Sequence, residues 1–175
     1  MYQPVSQYNR ISKVIHWVSA ISVFGLFALG YWMVDLTYYS EWYKIAPFWH
    51  KSIGLTLFAL TLFRIVWKQI IPSPEMEGQA WEKTGAKIAH DLLYILLFAT
   101  FISGYMISTA DGRGIDVYNL FTLPGLGSLI ENQEDIAGEV HFYLTYSLIA
   151  LALLHAAAAL KHHFINKDNT LKKMI

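Results

Sequence analysis

The sequence predicts an all-α fold, an integral membrane up-down bundle of four helices. Three observations carry that expectation. Hydrophobic residues make up 55% of the 175 positions and the mean hydropathy is +0.35, both above an ordinary soluble domain. Uncharged runs of 21, 19 and 21 residues occur at 14–34, 92–110 and 140–160, and a helix needs roughly 20 residues to cross ~30 Å of hydrocarbon. The charges, prolines and glycines gather between the runs, where water can solvate them.

The first span covers about 12–35 and contains VIHWVSAISVFGLFALGYWMV. It is longer than the apolar part of a signal peptide and lacks a small-residue cleavage site, so it reads as a spanning helix. The second covers about 46–70; its uncharged centre is Ser52 to Phe63, and Lys51 and Arg64 snorkel toward opposite interfaces. IPSPEMEGQAWEKTGAK then breaks helix as a short polar loop. The third span covers about 84–109. The segment from Asp111 to Gly138, rich in glycine and ending in acids, is expected to be an ordered surface loop with one amphipathic turn, its apolar VYNLFTLPGLG along the membrane interface. The fourth span covers about 138–163, and the whole chain, 1–175, reads as one transmembrane domain.

Lys and Arg set the orientation. Ten of the thirteen lie at the N-terminal end, the middle loop and the C-terminal end; only Lys44, Lys51 and Arg113 lie in the other two connections. The positive-inside rule therefore puts both termini in the cytoplasm. Eight acids (Asp35, Glu41, Asp111, Asp116, Glu131, Glu134, Asp135, Glu139) give the outer face a net charge of minus five.

The absence of cysteine excludes disulfides, thiolate catalysis, iron-sulfur clusters and covalent c-type haem. A formal net charge of zero gives no basic balance that would suggest nucleic acid. What remains is histidine. Five of the seven, His16, His50, His90, His141 and His155, lie in or at the ends of spans, where an ionisable side chain is costly and faces the protein interior. His141 and His155 are fourteen residues apart, about 40° short of four turns and ~21 Å along the axis, so they share one face at two depths. In an antiparallel bundle His50 can meet His141 near the outer surface, whereas His155 can meet either His16 or His90 near the inner one. Gly54, Gly138, Ala159, Ser19 and Ala20 are small neighbours on the histidine faces, clearance for a flat macrocycle or contacts for another helix. Paired neutral imidazoles on either side of an iron porphyrin would satisfy nitrogens otherwise buried without partners, and haem b needs no cysteine. His162 continues the His155 stripe into the inner interface. There it either caps a basic helix end or, with His90, lines a pocket for a lipid-soluble, proton-coupled partner.

The motifs RISKVIHW, WHKSIG, HDLLY, VHFYL and LHAAAALKHHFINKDNTLKKM resemble the bacterial dihaem cytochrome b561 family over nearly the whole chain. FALGYWMV and SGYMISTADGR resemble a subgroup associated with small periplasmic isoprenoid-binding proteins. The resemblance implies two b haems, with His50 and His141 as axial ligands of the outer iron and His16 and His155 of the inner. It also implies His90 and His162 as a ubiquinone pocket and an inner-membrane location. By the same resemblance the activity is electron transfer between a periplasmic donor and ubiquinone, as in superoxide:ubiquinone oxidoreductases. The alternative is a cytochrome b subunit that docks a soluble redox partner and has no substrate site of its own. The sequence departs from the superoxide branch in its negative outer face, which slows encounter with an anion.

Overall fold

A computed structural model describes residues 5–175; the first four residues of the predicted 1–175 unit lie outside the described residues. Four long helices dominate: α1 (Arg10–Met33), α2 (Trp42–Ile70), α3 (Ala80–Thr109) and α4 (Gln133–Lys161), all long and apolar enough to cross a membrane. Most begin a turn or so earlier than the apolar runs suggest, because polar first turns at the interface are helical too. At α1, Asn9 accepts a hydrogen bond from Ser12 N at 2.8 Å. At α3, Glu82 accepts one from Gln79 N at 2.8 Å. Both satisfy amides that the first turn leaves unpaired.

Burial is inverted relative to a soluble bundle. Ser52, Thr61, Ser103 and Thr109 are buried, while Val66 and Ile95 on the same two helices, and Ile21 on α1 and Leu154 on α4, are exposed. Small residues let helices approach closely, and the outward apolar surface is suited to lipid. Thr61 Oγ1 and Ser19 Oγ each donate to the carbonyl four residues back, Leu57 O and Ile15 O, at 2.7 Å, so burial leaves neither hydroxyl without a partner.

The bundle is two tight pairs, α1 with α2 and α3 with α4, and the pairs touch one another only sparsely. That loose seam is where the histidines lie. Both described termini are at one end, where Tyr8 N donates to Lys173 O at 3.1 Å; this is called the terminal end, and the opposite one the hairpin end.

The segment between α3 and α4 differs from the expected amphipathic turn. It holds an antiparallel hairpin, β1 (Ile115–Val117) with β2 (Phe121–Leu123), in register Ile115 with Leu123 and Val117 with Phe121. Tyr118 and Asn119 turn it with φ of 52° and 56°. The strained Tyr118 is held by neighbours: its N–H donates to Ser52 Oγ at 3.2 Å, and its hydroxyl lies 2.9 Å from Thr56 Oγ1. The hairpin thus leans against α2, while Leu120 and Phe121 at its tip stay exposed.

Candidate functional site

Each helix pair contributes to two histidine clusters. Toward the hairpin end, His50 on α2 faces His141 on α4 with ring centroids 6.4 Å apart. Toward the terminal end, His16 on α1 faces His155 on α4 at 6.3 Å, and His90 on α3 approaches the same His155 at 5.1 Å. A metal–imidazole nitrogen bond is about 2 Å, so two imidazoles on opposite sides of one metal put their centroids roughly 6 Å apart. The first two separations fit that requirement. The His90 to His155 distance is shorter, as for rings that touch directly.

The local setting of His141 fixes its proton. Its Nδ1 lies 3.0 Å from Thr100 O, and a carbonyl only accepts, so Nδ1 carries the hydrogen and Nε2 keeps a lone pair free. Ser103 Oγ, also 3.0 Å from Nδ1 and donating to Thr100 O, holds the same arrangement. His50 Nδ1 is buried without a hydrogen-bond partner and lies nearer Gly30 on α1 than Nε2 does, which leaves Nε2 as the ring nitrogen available to a ligand.

Sequence reasoning missed two residues. A Cβ added at Gly30 would lie 3.1 Å from His50 Cε1, and one at Gly104 would lie 3.1 Å from His141 Cε1. Each glycine lets the Cε1 edge of a ring come close to the neighbouring helix of its own pair. Their shared signal was the Gly-Tyr dipeptide near the end of the first and third spans. Gly54 and Gly138, singled out from spacing, border open space: a Cβ at either meets nothing within 4 Å.

Around His16 and His155 the setting is charged. Arg64 Nη2 lies 3.3 Å from His16 Nδ1, and the Arg64 guanidinium and Lys68 ammonium lie 5.8 and 6.0 Å from the Tyr94 ring centroid. Arg64 therefore turns inward rather than snorkelling free of the bundle.

His162 and His90 have separate neighbours. α4 continues into a π-helical turn, His162–Asn166, after which Lys167 adopts φ +57° and the chain turns back. This brings Asp168 Oδ2 to 2.5 Å from His162 Nδ1, while Glu82 Oε1 is 4.0 Å from Nε2. Burial pushes the Asp168 carboxyl up, but hydrogen bonds from His162 and Thr170 outweigh it and hold the group below its ordinary value. Beside this cluster opens a cavity of about 660 Å³ lined by Trp81, Glu82, Lys83, Lys161, Asn166 and Asp168 among others.

Among the described residues no group of three or more His, Cys, Asp or Glu is placed to hold a bare metal ion. Two-imidazole geometry instead suits a metal whose other ligands come from a macrocycle. The seam between helix pairs and the two paired separations are together compatible with haem.

Comparison with known proteins agrees with this chemistry. The family model described as prokaryotic cytochrome b561 matches residues 7–175. Cytochrome b561 homolog 2 of Escherichia coli (strain K12) is 47% identical, over 97% of this chain and 91% of that protein. Cytochrome b561 homolog 1 of the same organism is 28% identical, over 95% and 97%. A probable superoxide oxidase CybB of Yersinia pestis is 26% identical, over 97% and 96%.

Proposed function

The chain belongs to the prokaryotic cytochrome b561 family, membrane proteins that transfer electrons through b-type haem, and from that premise we propose that it binds two haems and passes electrons between a periplasmic donor and ubiquinone. The observation that carries the reading is the pair of matched separations, 6.4 Å for His50 with His141 and 6.3 Å for His16 with His155, on one shared helix. In this reading those four histidines are the axial ligands. A b-type haem, when bound, supplies reversible one-electron chemistry at its iron.

The protein's own contribution is orientation and dryness. Thr100 O and Ser103 keep the His141 lone pair directed away from α3. Gly30 and Gly104 let the two rings approach their neighbouring helices closely. The apolar bundle excludes water from both depths. The terminal end, with most of the Lys and Arg, faces the cytoplasm in a bacterial inner membrane. There His90 and His162 serve the quinone, whose reduction takes up two protons. The hairpin end faces the periplasm.

The test is a visible spectrum with haem quantification per chain, followed by reduction and then reoxidation by a short-chain ubiquinone. Two haems per polypeptide and quinone-driven reoxidation are expected; one haem, or none with ample iron supplied, would overturn the reading. A second reading, a conduit for a soluble donor protein, is favoured by the eight acids of the hairpin end, all exposed. They suit a cationic partner better than an anion such as superoxide. Reduction by superoxide alone would remove that alternative.

A further inference from the structure

The cluster around His162 has a layout that quinone reduction by itself does not require. His162 is only 13% exposed in its side chain, and its two nitrogens face different carboxylates: Nδ1 meets Asp168 at 2.5 Å, and Nε2 faces Glu82 at 4.0 Å. Glu82 is occupied elsewhere. It accepts from Lys161 Nζ at 2.5 Å, from Gln79 N at 2.8 Å and from Asn166 Nδ2 at 3.4 Å. Nδ1 is therefore committed to a close acceptor, while Nε2 keeps a gap.

The backbone is built to hold this. Gly78 has φ +93°, and a Cβ there would strike both Glu82 Oε2 at 2.6 Å and His162 Cε1 at 2.9 Å, so the loop before α3 closes over the imidazole only as glycine. From the other side the π-helical turn carries Asp168 back to the ring; such turns recur at functional sites. The remaining charged groups facing the cluster are accounted for: Lys161 pairs with Glu82, Glu77 with Lys173 at 2.6 Å, and Lys83 lines the cavity. Asp168 itself lines the cavity of about 660 Å³ at the terminal end, so water can reach the cluster from outside the bundle. His162 is seven residues beyond His155, roughly 10 Å along the helix.

We propose that Asp168 is a positioning residue for proton delivery: it fixes the His162 Nδ1 hydrogen so that Nε2 alone exchanges protons between cavity water and a quinone docked toward His155. The proposal rests on the quinone reading above. Reduction of one quinone consumes two electrons, drawn singly from the donor side, and two protons, one for each carbonyl oxygen. Each proton leaves Nε2 for a quinone oxygen, and Nε2 is reloaded from water in the cavity. Asp168 stays ionised throughout and keeps the Nδ1 hydrogen, as a carboxylate does when it orients a proton-transferring imidazole.

The experiment uses the haem-loaded protein, chemically reduced, and measures reoxidation in stopped flow by two acceptors. A short-chain ubiquinone needs protons; ferricyanide needs none. In Asp168→Asn the haem spectrum and the ferricyanide rate should be unchanged. The quinone rate should fall on the order of a hundredfold, its solvent deuterium isotope effect should grow, and Asp168→Glu should restore part of the rate. If Asp168→Asn disturbs haem binding, His162→Gln replaces it and should show the same selective loss. An unchanged quinone rate, or equal slowing with both acceptors, overturns the proposal. Should the native protein be reoxidised by ferricyanide and not by quinone, the quinone reading itself fails and takes this one with it.

Discussion

The two histidine pairs are set at the same separation by different means. At the hairpin end the partners are neutral: a carbonyl and a hydroxyl hold His141, and a glycine on the neighbouring helix makes room for each ring. At the terminal end the partners are charged or aromatic: Arg64 touches His16, Lys68 lies over Tyr94, and His90 leans on His155. Under the proposed reading, equal spacing with unequal surroundings would give the two sites one ligand geometry and different electrostatics. Fixed positive charge favours whichever redox state carries less positive charge. The terminal-end site should therefore have the higher potential, and electrons should run from the hairpin end toward it.

The largest effect that would break the comparison is loss of a ligand. His141→Ala should remove one haem per chain and leave the terminal-end signal, and His155→Ala should do the reverse; a variant that loses both or neither by haem quantification would show that the pairing is wrong. Next is Gly104→Val. It overpacks the His141 ring, a strain of about 1–3 kcal/mol. It should lower occupancy at the hairpin end alone, seen as a selective loss in the reduced-minus-oxidised spectrum. Arg64→Gln should leave both haems in place and lower the terminal-end midpoint on the order of 60 mV, one decade for a one-electron couple; a redox titration that moves the other site instead would reverse the assignment of surroundings.

The smallest effect is on the tail. The Glu77 carboxyl is held below its ordinary value of 4.5, first by its hydrogen bond with Lys173 and then by the Asn169 amide. A lowered folded value contributes stability that is present above the ordinary value and lost as pH falls through the lowered one. Acid should therefore loosen residues 169–173 before it loosens the hairpin, which hydrogen exchange across that range would follow. Glu77→Gln should loosen the same segment at neutral pH.

Much of this was legible in the sequence because lipid imposes length and polarity on a span so strictly. The four helices and the two depths of His141 and His155 follow from apolar runs and helical arithmetic, and the family from the resemblance of motifs such as WHKSIG and LHAAAALKHH. Four features did not. The hairpin rests on strands of three residues, too short for alternation to show, and on a tyrosine at positive φ held by Ser52 and Thr56, residues more than sixty positions away. Gly30 and Gly104 lie on helices other than those of the rings they meet, so no local spacing joins them. Spacing left His155 with two equally good neighbours; the resemblance implied His16, and the ring separations of 6.3 Å to His16 and 5.1 Å to His90 are compatible with that pairing. The contact between His162 and Asp168 likewise depends on the turn after α4, which a run of polar residues does not announce.

Helix α4 supplies one histidine to each pair and comes last among the four in chain order. If the proposed ligand pairs hold, neither can close during synthesis until that segment is in place: the first three spans enter the bilayer with their imidazoles unmatched, and insertion of α4 completes both. A nascent chain cut short before residue 133 should be colourless, and supplying the missing helix as a separate polypeptide should let both absorptions appear together.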